Sequence, residues 1–385
     1  MPLNALWGFN ALDHVADFKW PMLTAWALGV TCFVITTAFV VTWLVKDRRA
    51  GHHRLLEERR AVPPLPAQLA TTVVVVPLVI SANALICLVR PVTCLVLEVV
   101  IAVQSSVCIG ALAQYFLLGL GEPPTIENLL SKVPAKRWWC GPACGGVNLM
   151  LPGLGSFWSK EEHQLTLQDV HTAYDMVAWF MVFFITSNVI TLSIAMFPST
   201  IIQQADGWCE SARILPGLSG FSSFLAISSS FIGMAGFSVI SSASEIIEGT
   251  HLNASATDSR IHVKDKAGAA NIYMSLPLLL PFLLSLPVMG MKNIGIPVPI
   301  TESGQVGANG TWALQGRTFV CPVYDHETCA HLMYSFIVLI AMAYASFFNF
   351  RYYPPGDRSA AGFTGCLSDE EGSASDETEE DGTTP

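Results

Sequence analysis

An ionisable side chain inside a long apolar stretch is costly to place there, so such residues are where function is sought first. Few occur in this chain. Glu98 lies within the apolar run TCLVLEVVIAVQSSVCIGALAQYFLLGL, about 9 Å from its start if the run is a helix. At that depth it either meets water near the outer membrane interface or lines a path for a solute. Gln104, Cys108, Ala111 and Tyr115 follow at helical spacing, and a polar stripe of this kind either joins neighbouring helices or contacts a solute. Asn188 carries the same two readings in a later apolar run, while Asp175, at the inner end of that run, meets water. A further run is rich in small residues: Ser222, Ser223, Ser228, Ser229, Ser230, Gly233 and Gly236. It allows close helix packing or a hydroxyl-lined path, with Ser229 as the candidate contact. No lysine or arginine falls in the interior of an apolar run, so a fixed cationic site for an anion deep in the protein is not expected.

Other chemistry finds little support. There is no nucleophile–base motif, phosphate-binding loop, HExxH or paired-carboxylate array, so neither an enzyme nor a bound cofactor is expected. Cys140 and Cys144 follow Lys132, Lys136, Arg137, Trp138 and Trp139. Two cysteines supply half of a zinc shell and no nearby Cys or His completes it, so no metal site is expected. Juxtamembrane cysteines among basic residues are instead usual S-acylation targets, with inert thiols as the plain alternative.

The elements that must carry these residues are membrane helices. Of the 385 residues, 52% are hydrophobic and 13% charged, against roughly 25% charged in a soluble domain. Seven stretches are long and apolar enough to span a bilayer, near 23–45, 69–90, 92–120, 174–197, 214–242, 271–290 and 330–350. The second and third meet at Arg90-Pro91 with almost no loop, forming a hairpin whose exit reaches the Trp138-Trp139-Cys140 patch. The sixth contains Pro277, Pro281 and Pro287 and is the least regular. The fold class is therefore all-α: a polytopic membrane protein of seven transmembrane helices over residues 23–350. Residues 1–22 form a short extracytoplasmic N-terminus with no basic start before an apolar core, so the first span is expected to act as its own insertion signal.

Orientation follows from lysine and arginine, which favour the cytoplasmic side. Placing the N-terminus outside and the C-terminus inside puts fifteen of the 20 basic residues in cytoplasmic segments and five (Lys19, Arg90, Arg213, Lys292, Arg317) outside. Two further features agree. The sequon Asn309-Gly310-Thr311 falls in an outer loop, whereas Asn253-Ala254-Ser255 falls inside and is expected to stay unused. Cys209, Cys321 and Cys329 are the cysteines of the outer loops, where disulfides persist, and are the disulfide candidates.

Residues 351–385 are a cytoplasmic tail expected to be disordered. From residue 354 onward nine acids face only Arg358, so this tail holds −8 of the net −10, too polar to bury a core. Ser368, Ser373 and Ser375 among those acids suit an acidophilic kinase, although a solvated solubilising tail needs no modification. No basic surface of domain size exists, so nucleic acid is not an expected partner.

The order of features resembles the organic solute transporter alpha-subunit family. The resembling residues are Val76-Pro77, Pro91, the segment Tyr115-Phe-Leu-Leu-Gly-Leu-Gly-Glu122, the Trp138-Trp139-Cys140 patch with Pro142 and Cys144, and Phe348-Asn-Phe-Arg-Tyr-Tyr353. Together they cover most of residues 24–353. Val103-Gln104 stands where that family tends to carry a Tyr-Glu pair. Phe336 and Tyr344 stand where its last helix carries a glutamate and a histidine. Lys264 or Lys266 matches the lysines opening its sixth helix, with Asn271 at the second position. The resemblance implies a facilitative carrier of amphipathic organic solutes such as steroid conjugates or lipid-like molecules, in the plasma membrane or an endomembrane. It also implies membrane lipid around the protein, and a single-span partner subunit or a homo-oligomer.

Two other classes are consistent with seven spans: a receptor or signalling protein, and a non-transporting scaffold acting through the acidic tail. The chain lacks Asp-Arg-Tyr at the end of the third span and Asn-Pro-x-x-Tyr in the seventh, and no lysine in the seventh could hold retinal. The orientation has a direct test. Deglycosylation should increase the gel mobility of the wild type and leave that of Asn309→Gln unchanged. A wild type without a glycan on Asn309, together with a C-terminal tag reached from outside, overturns it.

Overall fold

The structure is a computed structural model that describes residues 20–58, 65–120, 127–128, 130–131, 164–196, 200–203, 209–212, 216–252, 263–286, 291–299, 318–324 and 326–353. Among the described residues seven long helices make the architecture: α1 (Trp20–Glu58), α2 (Leu65–Val89), α3 (Cys94–Leu120), α4 (Leu167–Met196), α5 (Pro216–Leu252), α6 (Val263–Ser285) and α7 (His326–Tyr352). All 7 are long and apolar enough to cross a membrane, so the chain is an integral membrane protein. Two antiparallel hairpins accompany them. β1 (Thr200–Gln203) pairs with β2 (Cys209–Ala212) between α4 and α5, and β3 (Met291–Pro299) pairs with β4 (Thr318–Tyr324) between α6 and α7. Both hairpins lie at the end of the bundle where α3, α5 and α7 begin.

Local sequence explains the helix limits. Arg90 donates its backbone N–H to Ile86 O and closes α2, and Pro91 opens a single tight turn that leads into α3. Proline suits that position because its missing N–H would be unpaired there anyway. Thr93 returns both its N–H and its hydroxyl to Arg90 O, at 2.9 and 2.7 Å, so the α2–α3 connection is as short as the sequence implies. At the start of α4, Thr166 and Asp169 form a reciprocal cap, the Thr166 N–H donating to the Asp169 carboxylate at 2.8 Å; this is the capping-box pattern. Within α2, Pro77 leaves no N–H to donate, and Ser81 donates its hydroxyl to Pro77 O at 2.7 Å.

Several helices depart from the expected spans. α1 continues to Glu58 because KDRRAGHHRLLEE has no helix breaker but Gly51, and helix needs no apolar surroundings where i,i+4 charge pairs are available. α6 begins at Val263 and ends at Ser285, several residues earlier at each end than 271–290. Pro287 disfavours helix in the residue before it, where α6 has ended. Pro277 and Pro281 lie inside the helix, as membrane helices tolerate.

α3 is the central helix, packing against α2, α4, α5, α6 and α7, while α7 also packs between α1, α2 and α6. The small residues of α5 serve packing. A Cβ on Gly236 would stand 2.5 Å from the Ala173 backbone oxygen and 2.8 Å from Met176 Cβ, and one on Gly233 would stand 2.8 Å from the Phe180 ring. Ser222 adds a bond to Ser187 O at 2.8 Å and one to the Thr191 hydroxyl at 2.7 Å. Backbone oxygen cannot yield as a flexible side chain can, so Gly236→Ala should destabilise the protein by about 1–3 kcal/mol. Gly220, with nothing within 4 Å, should accept alanine without loss. Thermal unfolding in detergent reads both, and equal midpoints for the two variants would show that this contact is not close.

Candidate functional site

The inward face of α3 carries the site. Glu98, Ser105, Cys108 and Tyr115 recur at spacings of seven, three and seven, which keeps them on one side of a 3.6-residue helix, and all four are buried. From Glu98 to Tyr115 this face runs about 25 Å, with a polar centre at each end.

At the end where α3 and α7 begin, Glu98 is not solvated at an interface. It is 2% exposed, and its Oε1 lies 2.5 Å from Nδ1 of His331, itself 4% exposed. The expectation of water at Glu98 rested on depth alone. Depth does not decide exposure here, because α7 covers that turn of α3. Ser335 donates its hydroxyl to His331 O at 3.0 Å, and the buried Tyr334, Cys87 and Cys94 complete the surroundings. Among the described residues no group of His, Cys, Asp and Glu could hold a metal.

At the other end Lys266 of α6 is buried, 2% exposed, although no lysine was expected inside the protein. The earlier start of α6 brings it in. Its Nζ donates to the Tyr115 hydroxyl at 3.1 Å and lies 5.1 Å from the Tyr115 ring and 5.0 Å from the Tyr353 ring, within the range of attraction between a cation and an aromatic face. Tyr353 is held in turn by the Trp43 indole N–H, which donates to its carbonyl at 2.5 Å. Nearby, Asn349 donates from Nδ2 to Val73 O at 2.9 Å across the α7–α2 contact.

Between the two centres Cys108 lies beside Tyr273 of α6. The side-chain oxygens of Ser105 on α3 and of Ser346, Asn349 (Oδ1) and Tyr353 toward the Lys266 end are buried without a hydrogen-bond partner among the described residues. Nearly all buried polar atoms in folded proteins are partnered, so these can accept hydrogen bonds from a polar molecule or donate them to it.

The sequence candidates divide accordingly. Glu98, Cys108 and Tyr115 lie on this seam, and Gln104 is half-buried on α3. Asn188 donates to Phe184 O at 2.9 Å and Ser229 to Ala226 O at 2.7 Å, so both donors are used within their own helices. Cys329 stands half-buried in the first turn of α7. Cys209 and Cys321 lie on β2 and β4, whose side chains fall outside the described residues, as do Cys140, Cys144, Asn309, Ser368, Ser373 and Ser375. Asp175 is exposed. Sequence reasoning passed over His331 and Tyr273, and it named Lys266, Asn349 and Tyr353 only within the family resemblance, not as part of a site. No known protein family, curated protein or solved structure matches the chain.

Removing one partner of a buried ion pair leaves the other uncompensated, at a cost of about 3–5 kcal/mol, whereas replacing both with apolar groups is often neutral. Glu98→Ala should therefore lose about that much stability, and Glu98→Leu combined with His331→Leu should lose less than the single variant. Chemical unfolding in mixed micelles checks this. Strictly additive losses would show that the two residues do not act as a pair.

Proposed function

We infer that the protein is a membrane carrier of amphipathic organic solutes, such as steroid conjugates or lipid-like molecules. The observation that carries this reading is the Glu98–His331 pair, buried between two apolar membrane helices. Ionisable residues in such positions are expensive and characteristically mark solute or ion pathways. The buried hydroxyls of Ser105 on α3 and of Ser346 and Tyr353 at the far end of α7, without a partner among the described residues, offer hydrogen bonds to the polar end of a solute, and the apolar flanks suit its hydrocarbon part. The ordered resemblance to the organic solute transporter alpha-subunit family points to the same class, and under it a single-span subunit or a second copy is the expected partner. The N-outside, C-inside orientation belongs to the same reading and rests on the distribution of lysine and arginine.

The test is uptake by the purified full chain in proteoliposomes, using a panel of labelled steroid conjugates against protein-free vesicles. The wild type should take up at least one conjugate faster than the control, and Glu98→Gln should reduce that rate about tenfold or more. No uptake of any conjugate, with or without a co-reconstituted single-span subunit, would turn the assignment toward a receptor or scaffold.

A further inference from the structure

Two thiols meet at the α2–α3 turn. Cys87 lies in the last turn of α2 and Cys94 opens α3, and both are buried. The Cys94 thiol reaches back across the turn to within 3.6 Å of Cys87 O. It is also in hydrogen-bonding contact with the Cys87 thiol.

The contact with the carbonyl has a local cause. In a continuing helix Cys87 O would accept from the N–H four residues on, but that residue is Pro91, which has none. The Cys94 thiol stands in for it. A serine hydroxyl would serve that purpose better, because a thiol is a weak donor. Nor does the cap use a thiol at residue 87. Capping thus accounts for a donor at residue 94 and not for a thiol at both positions.

We propose that Cys87 and Cys94 form a disulfide that locks the α2–α3 turn. The proposal rests on the N-outside orientation, which puts this turn on the side of the membrane where disulfides persist. The oxidant is a disulfide of that compartment, such as glutathione disulfide. One cysteine attacks it as the thiolate, forming a mixed disulfide and releasing one thiol of the oxidant. The second cysteine then attacks the protein sulfur of that mixed disulfide and releases the other thiol. Two electrons pass to the oxidant, and the two cysteine protons end on its thiols. Because α7 packs against α2 and the turn, with Tyr334 beside Cys87, the exchange belongs to the hairpin before α7 covers it. A loop this short adds little to global stability, since the entropy removed from the unfolded chain grows with loop length. Its effect is local. The bridge ties the end of α2 to the start of α3 one turn before Glu98, and so holds the height of that carboxylate.

The experiment takes the full chain from cells with free thiols blocked by N-ethylmaleimide at lysis, and digests it with chymotrypsin without reduction. A cut after Leu88 should leave the Cys87 and Cys94 peptides joined and unblocked, and a reductant should separate them. Cys94→Ser keeps a donor for Cys87 O and loses the bridge, so its Cys87 should be blocked. Hydrogen–deuterium exchange of the turn amides should be about tenfold slower in the bridged wild type than in the reduced wild type or in Cys94→Ser. The comparison of oxidised with reduced wild type decides the locking even if the variant folds poorly, and equal exchange in the two overturns it. Free thiols at both positions with a C-terminal tag inside overturn the bridge and leave the orientation standing. Free thiols with the tag reached from outside overturn the orientation, and the bridge falls with it. Either cysteine joined instead to another, such as Cys32 or Cys329, overturns the pairing.

Discussion

A carboxylate and an imidazole held against each other between apolar helices constrain everything around them. Taking either group out of water costs several kcal/mol, which the mutual attraction offsets only in good geometry. Here that geometry depends on two chain features far apart in sequence. The α2–α3 turn, closed by Arg90, Pro91 and Thr93, sets the height at which Glu98 faces inward. The start of α7 at His326 sets the height of His331. A register shift of one residue in either helix would rotate one partner by about 100° and leave the other buried alone.

The opposite end of the same helices is held differently. The Trp43 indole donates to the carbonyl of Tyr353, and Lys46 stands 5.0 Å from the Phe350 ring, so α1 grips the last turns of α7. Asn349 reaches the backbone of α2 at Val73. Lys266 then sits between the rings of Tyr115 and Tyr353, tying α6 to α3 and to the end of α7. No single contact here need be strong. Their joint effect is to fix the C-terminal end of α7, and with it the position of the helix that carries His331.

Hydropathy made the seven helices legible, because a bilayer needs about 20 apolar residues and leaves few alternatives. It did not mark where helix continues beyond the apolar part. α1 runs on through basic residues to Glu58 and α6 starts at Val263 among charges, and in both cases polarity ends the span without ending the helix. The polar stripe of α3 was readable as a face, since Cys108 and Tyr115 repeat at helical spacing. What faces that stripe was not, because His331 and Lys266 come from 233 and 151 residues away. One signal did exist. Given alternating helix directions, Glu98 and His331 lie within the first turns of two helices that start at the same end, and so share a depth.

The bundle therefore has two kinds of seam. Between α4 and α5 the contact is backbone-close, with Gly236 against the Ala173 carbonyl and Gly233 against Phe180, and the hydroxyls of Ser222 and Thr191 are bonded across it. Opening that seam would forfeit close packing and satisfied bonds, with no compensating gain. Along α3, α6 and α7 the contact is tied at its two ends, by Glu98 with His331 and by Lys266 with Tyr115, and is less complete elsewhere. Ser105, Ser346 and Tyr353 each bury an oxygen without a partner among the described residues, and an unpaired buried polar group costs about 1–3 kcal/mol that contact with water or a polar solute restores. Water or a polar solute is thus accommodated at lower cost along this seam than between α4 and α5.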